Sequence, residues 1–277
     1  MDISFEKMNE ISDVQVRLFD EFLRICEILN LKYFLIHGSL LGAVVHKGCF
    51  PGDDDIDIAM SREDYEKFCK EGPKYIKKGL FIQTFESDPE FPLAMAKIRD
   101  SNTTYIQENM RTLCINHGIY IDVFPVDRYI DNPFLRIMSY LKLKISYYSV
   151  CRHMLIGSRR KLLLSLVRFL AILVYPSEEK TKKTRVKIMK SGKSSRFYSI
   201  YGSKKADLKI PCEYFDDIEK TYFAGLNVNI PKMYKEYLSL IYGNYMLHSP
   251  VNESSNGLIK TNACDISVDK PFSEKFK

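Results

Sequence analysis

The sequence predicts an α+β fold, with a mixed-sheet core, a helical insertion and C-terminal helices. Three observations carry it. Short runs of strand length recur at 32–36, 55–60, 96–100 and 118–126, those at 32–36 and 118–126 rich in aromatic or β-branched residues. Helical periodicity lies between them, and the middle of the chain is rich in aliphatic and basic residues. With 277 residues and 45% hydrophobic content, the chain can bury a sizeable core.

Taken in order, MDISFEKMNEISD is acidic and polar and lacks the apolar stretch of a signal peptide. Val14 to Leu29 reads as an amphipathic helix, with Leu18, Phe22, Ile25 and Leu29 on one stripe. Lys32–Ile36 is expected to be a buried strand and Leu40–Val45 the start of a helix, which leaves Gly38-Ser39 in the turn between them. Glycine there admits close backbone approach, and a helix N-terminus offers free N–H groups to phosphate.

The segment from His37 to Met60, HGSLLGAVVHKGCFPGDDDIDIAM, is the most informative in the chain. Side chains at i and i+2 of a strand share a face, roughly 6.5–7 Å apart. Asp55 and Asp57 therefore stand together while Ile56 and Ile58 face the core. Parallel carboxylates repel unless a cation lies between them, and Mg²⁺ prefers such oxygen ligands. The plainer reading is a solvated acidic turn after Pro51-Gly52, but the apolar alternation in DIDIAM argues for a strand.

Ser61 to Asp64 fits a capping box for a helix ending near Gly72-Pro73. GIYIDVFPV, Gly118 to Val126, is a further strand carrying Asp122. A mid-strand acid is costly to bury unless paired or bound to a metal; the alternative is an aspartate capping the turn at Pro125. Two strands with three convergent acids suit two-metal phosphoryl transfer.

The blocks GSLLGAVVHKG…PGDDDIDIAM, AKIRDSNTTYI and GIYIDVFPVD, with the later segment Phe223 to Met246, resemble the LicD family. That family shares the polymerase-β nucleotidyltransferase fold and is related to fukutin and fukutin-related protein. One departure is Gly52, where the family usually carries tryptophan. The resemblance implies a polymerase-β-like nucleotidyltransferase core over 1–134, a basic helical insertion over 135–200 and a C-terminal helical part over 201–277. It implies transfer of a phospho-alcohol, phosphocholine in the best-known members, from a CDP-linked donor to a hydroxyl of a surface glycan or its lipid-linked precursor. Carried over by motif, Asp55, Asp57 and Asp122 are the catalytic residues. With Asp53 they are the expected ligands of Mg²⁺ or Mn²⁺. Gly38, Ser39, His46, Lys97 and Arg99 are the expected donor-binding residues, with His37 and Lys47 as neighbours. Asp122 is the expected proton acceptor.

Seven scattered cysteines without a CxxC point to reduced thiols, and with the N-terminus to the cytoplasm or the inner face of a membrane. From Arg136 to Lys193 acids are confined to Glu178 and Glu179, while Lys and Arg accumulate. Leu162 to Tyr175, LLLSLVRFLAILVY, is shorter than the roughly 20 residues that span a bilayer. It reads either as a buried helix or as an interfacial one over 159–185. The net charge of +6 is interleaved with aliphatics rather than laid out as a stripe with stacking aromatics, which argues against nucleic acid. Two other functional readings stay open: a nucleotidyltransferase that releases pyrophosphate, and a non-catalytic membrane-surface protein of this fold.

Overall fold

The computed structural model describes residues 1–156, 161–203, 207–247 and 258–275. Its first half runs β1 (Asp2–Ile3), α1 (Phe5–Leu29), β2 (Phe34–Leu35), α2 (His37–Val45), β3 (Asp57–Ser61), α3 (Arg62–Glu71), β4 (Leu80–Gln83), β5 (Ala96–Asp100), β6 (Thr104–Gln107) and β7 (Ile119–Arg128). Three helices follow, α4 (Pro133–Val150), α5 (Lys161–Val174) and α6 (Glu178–Met189). Then come β8 (Phe197–Ser199), β9 (Ile210–Pro211), β10 (Ile218–Phe223), β11 (Leu226–Pro231), α7 (Tyr234–Tyr242), β12 (Ile259–Lys260) and β13 (Ala263–Ser267).

The fold is α+β around a mixed sheet in the order β2-β3-β7-β5-β4. β3 and β7 are parallel, and the other neighbours on that path are antiparallel. β7 is central because its sequence is apolar on both faces, and every residue from Ile119 to Asp127 is buried. Helix α1 packs across β7 and β5. It begins well before the expected Val14, because Ser4 caps it by accepting a hydrogen bond from the Lys7 N–H at 3.2 Å. Asn30, in the left-handed region at φ 49°, ends it. Its Phe19 and Phe22 meet Tyr33, Phe68 and Phe223 ring to ring, joining α1, α3 and the β10–β11 hairpin in one core.

Ser61 caps α3 as expected, its Oγ accepting from the Asp64 N–H at 3.1 Å and donating to Asp64 Oδ2 at 2.8 Å, and α3 ends at Glu71. α2 begins at His37, so Gly38 and Ser39 lie in its first turn rather than ahead of it.

The expectation of a helical C-terminal part over 201–277 is corrected. Among the described residues that stretch holds one α-helix, α7, beside five strands. Leu226, Val228 and Ile230 alternate with Asn227 and Asn229, a strand period, and Ala224-Gly225 at φ 49° and 84° makes a two-residue hairpin turn. The boundary at 134 does not end the sheet either, since β8 returns to pair with the end of β7, Asp127 opposite Ser199.

Nor is α5 a buried helix. Ala171 is its one buried residue, whereas Leu162, Leu166, Phe169 and Leu173 are exposed. The basic Arg159 and Arg160 lie outside the described residues. No helix among the described residues is long and apolar enough to cross a membrane. All seven cysteines are free.

Candidate active site

Strand register assembles the site. Asp57 of β3 lies opposite Asp122 of β7, and Asp122 lies opposite Lys97 of β5. Residues in register on adjacent strands share a face, so the three form one row across the middle of the sheet. Asp55, just before β3, completes a cluster in which carboxylate oxygens of Asp55, Asp57 and Asp122 lie within 4.8 Å of one another. Asp53, Asp54 and Asp55 form a second such group. Burial and then the charges of Asp57, Asp53, Asp122 and Asp54 push the Asp55 carboxyl well above its usual range. So concentrated an all-oxygen donor set fits a hard divalent cation.

Lys97 is buried, its Nζ 2.5 Å from Asp122 Oδ1 and 3.4 Å from the centre of the Tyr120 ring. Burial works against both charges, drawing Lys97 down and Asp122 up, and each is held by the other. A mid-strand acid is thus accommodated by pairing, one of the two conditions the sequence suggested.

The acid loop is clamped from several sides. Phe50-Pro51-Gly52-Asp53 is a tight turn, with Asp53 N–H donating to Phe50 C=O at 3.0 Å and Gly52 at φ 81°. Proline at its second position and glycine at its third suit a type II turn, so Gly52 supplies a left-handed backbone. Gln15 of α1 donates to Asp54 C=O at 2.8 Å, and the Tyr105 hydroxyl donates to Asp54 Oδ2 at 2.5 Å. Gly38 leaves room for Asp53: a Cβ there would fall 2.0 Å from its Oδ2.

A cavity of about 540 Å³ opens over the row. The acids and Lys97 line it, together with Phe124, Tyr147, Tyr242, Met95, Met110 and Met154.

Of the expected donor-binding residues, Gly38 and Lys97 lie on this cavity and three do not. Ser39 is 2% exposed, and its Oγ accepts from the Asp57 N–H at 2.7 Å, so it positions an acid. Arg99 is fully buried, bonded to Gln83 Oε1 and Gly118 C=O at 2.6 Å each, inside the sheet's own network. His46 is exposed beyond the far end of α2, against the Phe50 ring. His37 does line the cavity, its Nδ1 3.2 Å from the Tyr237 hydroxyl of α7. Sequence reasoning missed Gln15, Tyr105, Tyr147, Tyr237 and Tyr242. Only tertiary structure brings them in, and aromatic residues at helical spacing read as ordinary core.

Residues 30–134 match the family model described as LicD/FKTN/FKRP, nucleotidyltransferase domain. The chain is 26% identical over 242 residues to the lipopolysaccharide cholinephosphotransferase LicD of Haemophilus influenzae, covering 86% of this chain and 90% of that relative. Shorter matches reach uncharacterised proteins of Rickettsia typhi, 43% identical over 54 residues, and Rickettsia prowazekii, 54% identical over 35 residues. These cover 20% and 13% of this chain, and 18% and 13% of the relatives.

Proposed function

The chain is a member of the LicD family, and on that premise we propose that it transfers a phospho-alcohol, phosphocholine foremost, from a CDP-linked donor to a hydroxyl of a cell-surface glycan or its lipid-linked precursor. The observation that carries this reading is the Asp57–Asp122–Lys97 row in a cavity that Phe124, Tyr147 and Tyr242 also line. A polymerase-β-like core is the fold it fits. Asp55, Asp57 and Asp122, with Asp53, would hold Mg²⁺ or Mn²⁺. When bound, such an ion neutralises charge on the diphosphate and on the departing CMP.

The chain's own residues do the rest by positioning. Lys97 fixes Asp122, Ser39 fixes the backbone at Asp57, and Gln15 and Tyr105 hold Asp54. Phe124, Tyr147 and Tyr242 offer rings to a quaternary ammonium. The acceptor oxygen bonds to the phosphorus carrying the alcohol as the bond from that phosphorus to the CMP oxygen breaks. The hydroxyl proton passes to a carboxylate, which we assign to Asp122.

Thermal unfolding with Mg²⁺ and each of CDP-choline, CDP-glycerol, CDP-ribitol and CTP tests the reading. Saturation at about 100 Kd adds roughly 2.7 kcal/mol. The expected result is a shift with CDP-choline that Asp57→Asn loses. A shift with CTP alone would replace this reading with nucleotidyl transfer, and no shift with any of the four would contradict it.

A further inference from the structure

The helical segment buries charged groups alongside the apolar Leu143, Val150, Ala171 and Met189. Arg168 of α5 donates to the carbonyls of Arg152 and Met154 at 3.1 and 2.7 Å. Buried Arg185 of α6 donates to Leu143 C=O at 2.6 Å and Ser146 Oγ at 3.1 Å, and buried Lys182 to Pro89 C=O at 2.5 Å. Its outward side is apolar. On α5, Leu162, Leu166, Phe169 and Leu173 recur at helical spacing with 54–87% of their surface exposed. On α4, which packs against α5, Phe134, Met138, Leu141 and Ile145 also recur at helical spacing, with 39–70% of their surface exposed. Monomers in water rarely present contiguous apolar surface of this extent.

We propose that the exposed faces of α4 and α5 seat this protein on the surface of an anionic lipid bilayer. Charge selects that occupant. From Asn132 to Ser177 there is no Asp or Glu, while exposed Lys142, Lys144 and Lys161 border the apolar stripes. Lysines placed this way reach headgroup phosphates while the leucines enter the acyl boundary. A second copy of the chain is a poorer occupant, because joining two such faces sets lysines against lysines. Neither helix is able to span the bilayer, so the contact is interfacial. Tyr147, near the end of α4, and Met154 just beyond it also line the acid-bearing cavity. Seating the helices therefore sets that cavity beside the lipid surface, within reach of a hydroxyl on a lipid-linked molecule.

The chain contains no tryptophan, so Phe169→Trp installs a single reporter at an exposed position. With vesicles of phosphatidylcholine and phosphatidylglycerol, its emission is expected to shift to the blue and to be quenched by brominated lipid. In sedimentation with the same vesicles the unmodified protein should bind at least about tenfold more tightly than to phosphatidylcholine alone. Leu166→Glu with Phe169→Glu should abolish that binding while leaving the thermal midpoint in place. Absence of an emission shift, or vesicle binding that survives the double substitution, would overturn the proposal. So would a blue shift produced by concentrating Phe169→Trp protein without lipid, which would assign the face to a second copy.

Discussion

At the centre of the sheet Lys97, Asp122 and Arg99 sit buried, whereas on α5 Leu162, Leu166 and Phe169 face outward. Each region inverts the usual distribution of charge and apolar surface, and the surroundings differ accordingly. The buried charges are partnered by other side chains and carbonyls at hydrogen-bond distance. The α5 side chains instead leave more than half of their surface open. The first inversion is settled inside the molecule and should be sensitive to every change. The second should be insensitive until a lipid surface is added.

The largest stability effect is therefore expected at Lys97. Lys97→Met leaves Asp122 buried without its cation and should cost about 3–5 kcal/mol in denaturant unfolding. Combining it with Asp122→Leu should recover most of that loss, and a double variant as unstable as the single one would break the pairing argument.

The two glycines of α2 separate structure from ligand. At Gly42 a Cβ would fall 2.4 Å from the Gly48 carbonyl oxygen and 2.7 Å from the Phe50 nitrogen, both backbone. Gly42→Ala should cost about 1–3 kcal/mol. At Gly38 the obstacle is the Asp53 carboxylate, which is able to move. Gly38→Ala should change stability by less than about 1 kcal/mol yet weaken cation binding by roughly tenfold, 1.4 kcal/mol per decade.

A half-solvated ion pair falls between the two regions. Burial raises the Glu21 carboxyl, but Arg24, at 2.6 and 2.9 Å, and Lys77 outweigh it and bring it down to about 2. A depressed folded-state pKa stabilises above the unfolded value of about 4.5, and that contribution is lost as pH falls through about 2. With partners this exposed it amounts to about 1 kcal/mol. The stability difference between the unmodified protein and Glu21→Gln should shrink across that window in an acid titration. The smallest effect belongs to Leu166→Glu, which should alter unfolding in lipid-free buffer by less than about 0.5 kcal/mol.

Much of this was legible in sequence where the signal is local. The alternation in DIDIAM, the Ser61 cap and the apolar run of β7 each depend on residues within a few positions. The acid cluster was legible for the same reason. What escaped was non-local. Lys97 and Arg99 share a strand and an alternation, yet only register puts one opposite Asp122 and the other beside Gln83 and Gly118. The β10–β11 hairpin did carry a local signal, LNVNI after Ala224-Gly225, and was overlooked beside the helical period that follows it. Tyr105 and Tyr242 reach the site by chain reversals that composition does not encode.

The central claim is that the acid row holds a divalent cation. It is tested most directly by titrating the protein with Mn²⁺ and following the free ion by electron paramagnetic resonance, with and without CDP-choline. The account predicts saturable binding that CDP-choline tightens, and at least a tenfold loss of affinity in Asp57→Asn, on the order of 1.4 kcal/mol. Equal Mn²⁺ affinity in the unmodified protein and Asp57→Asn would contradict it.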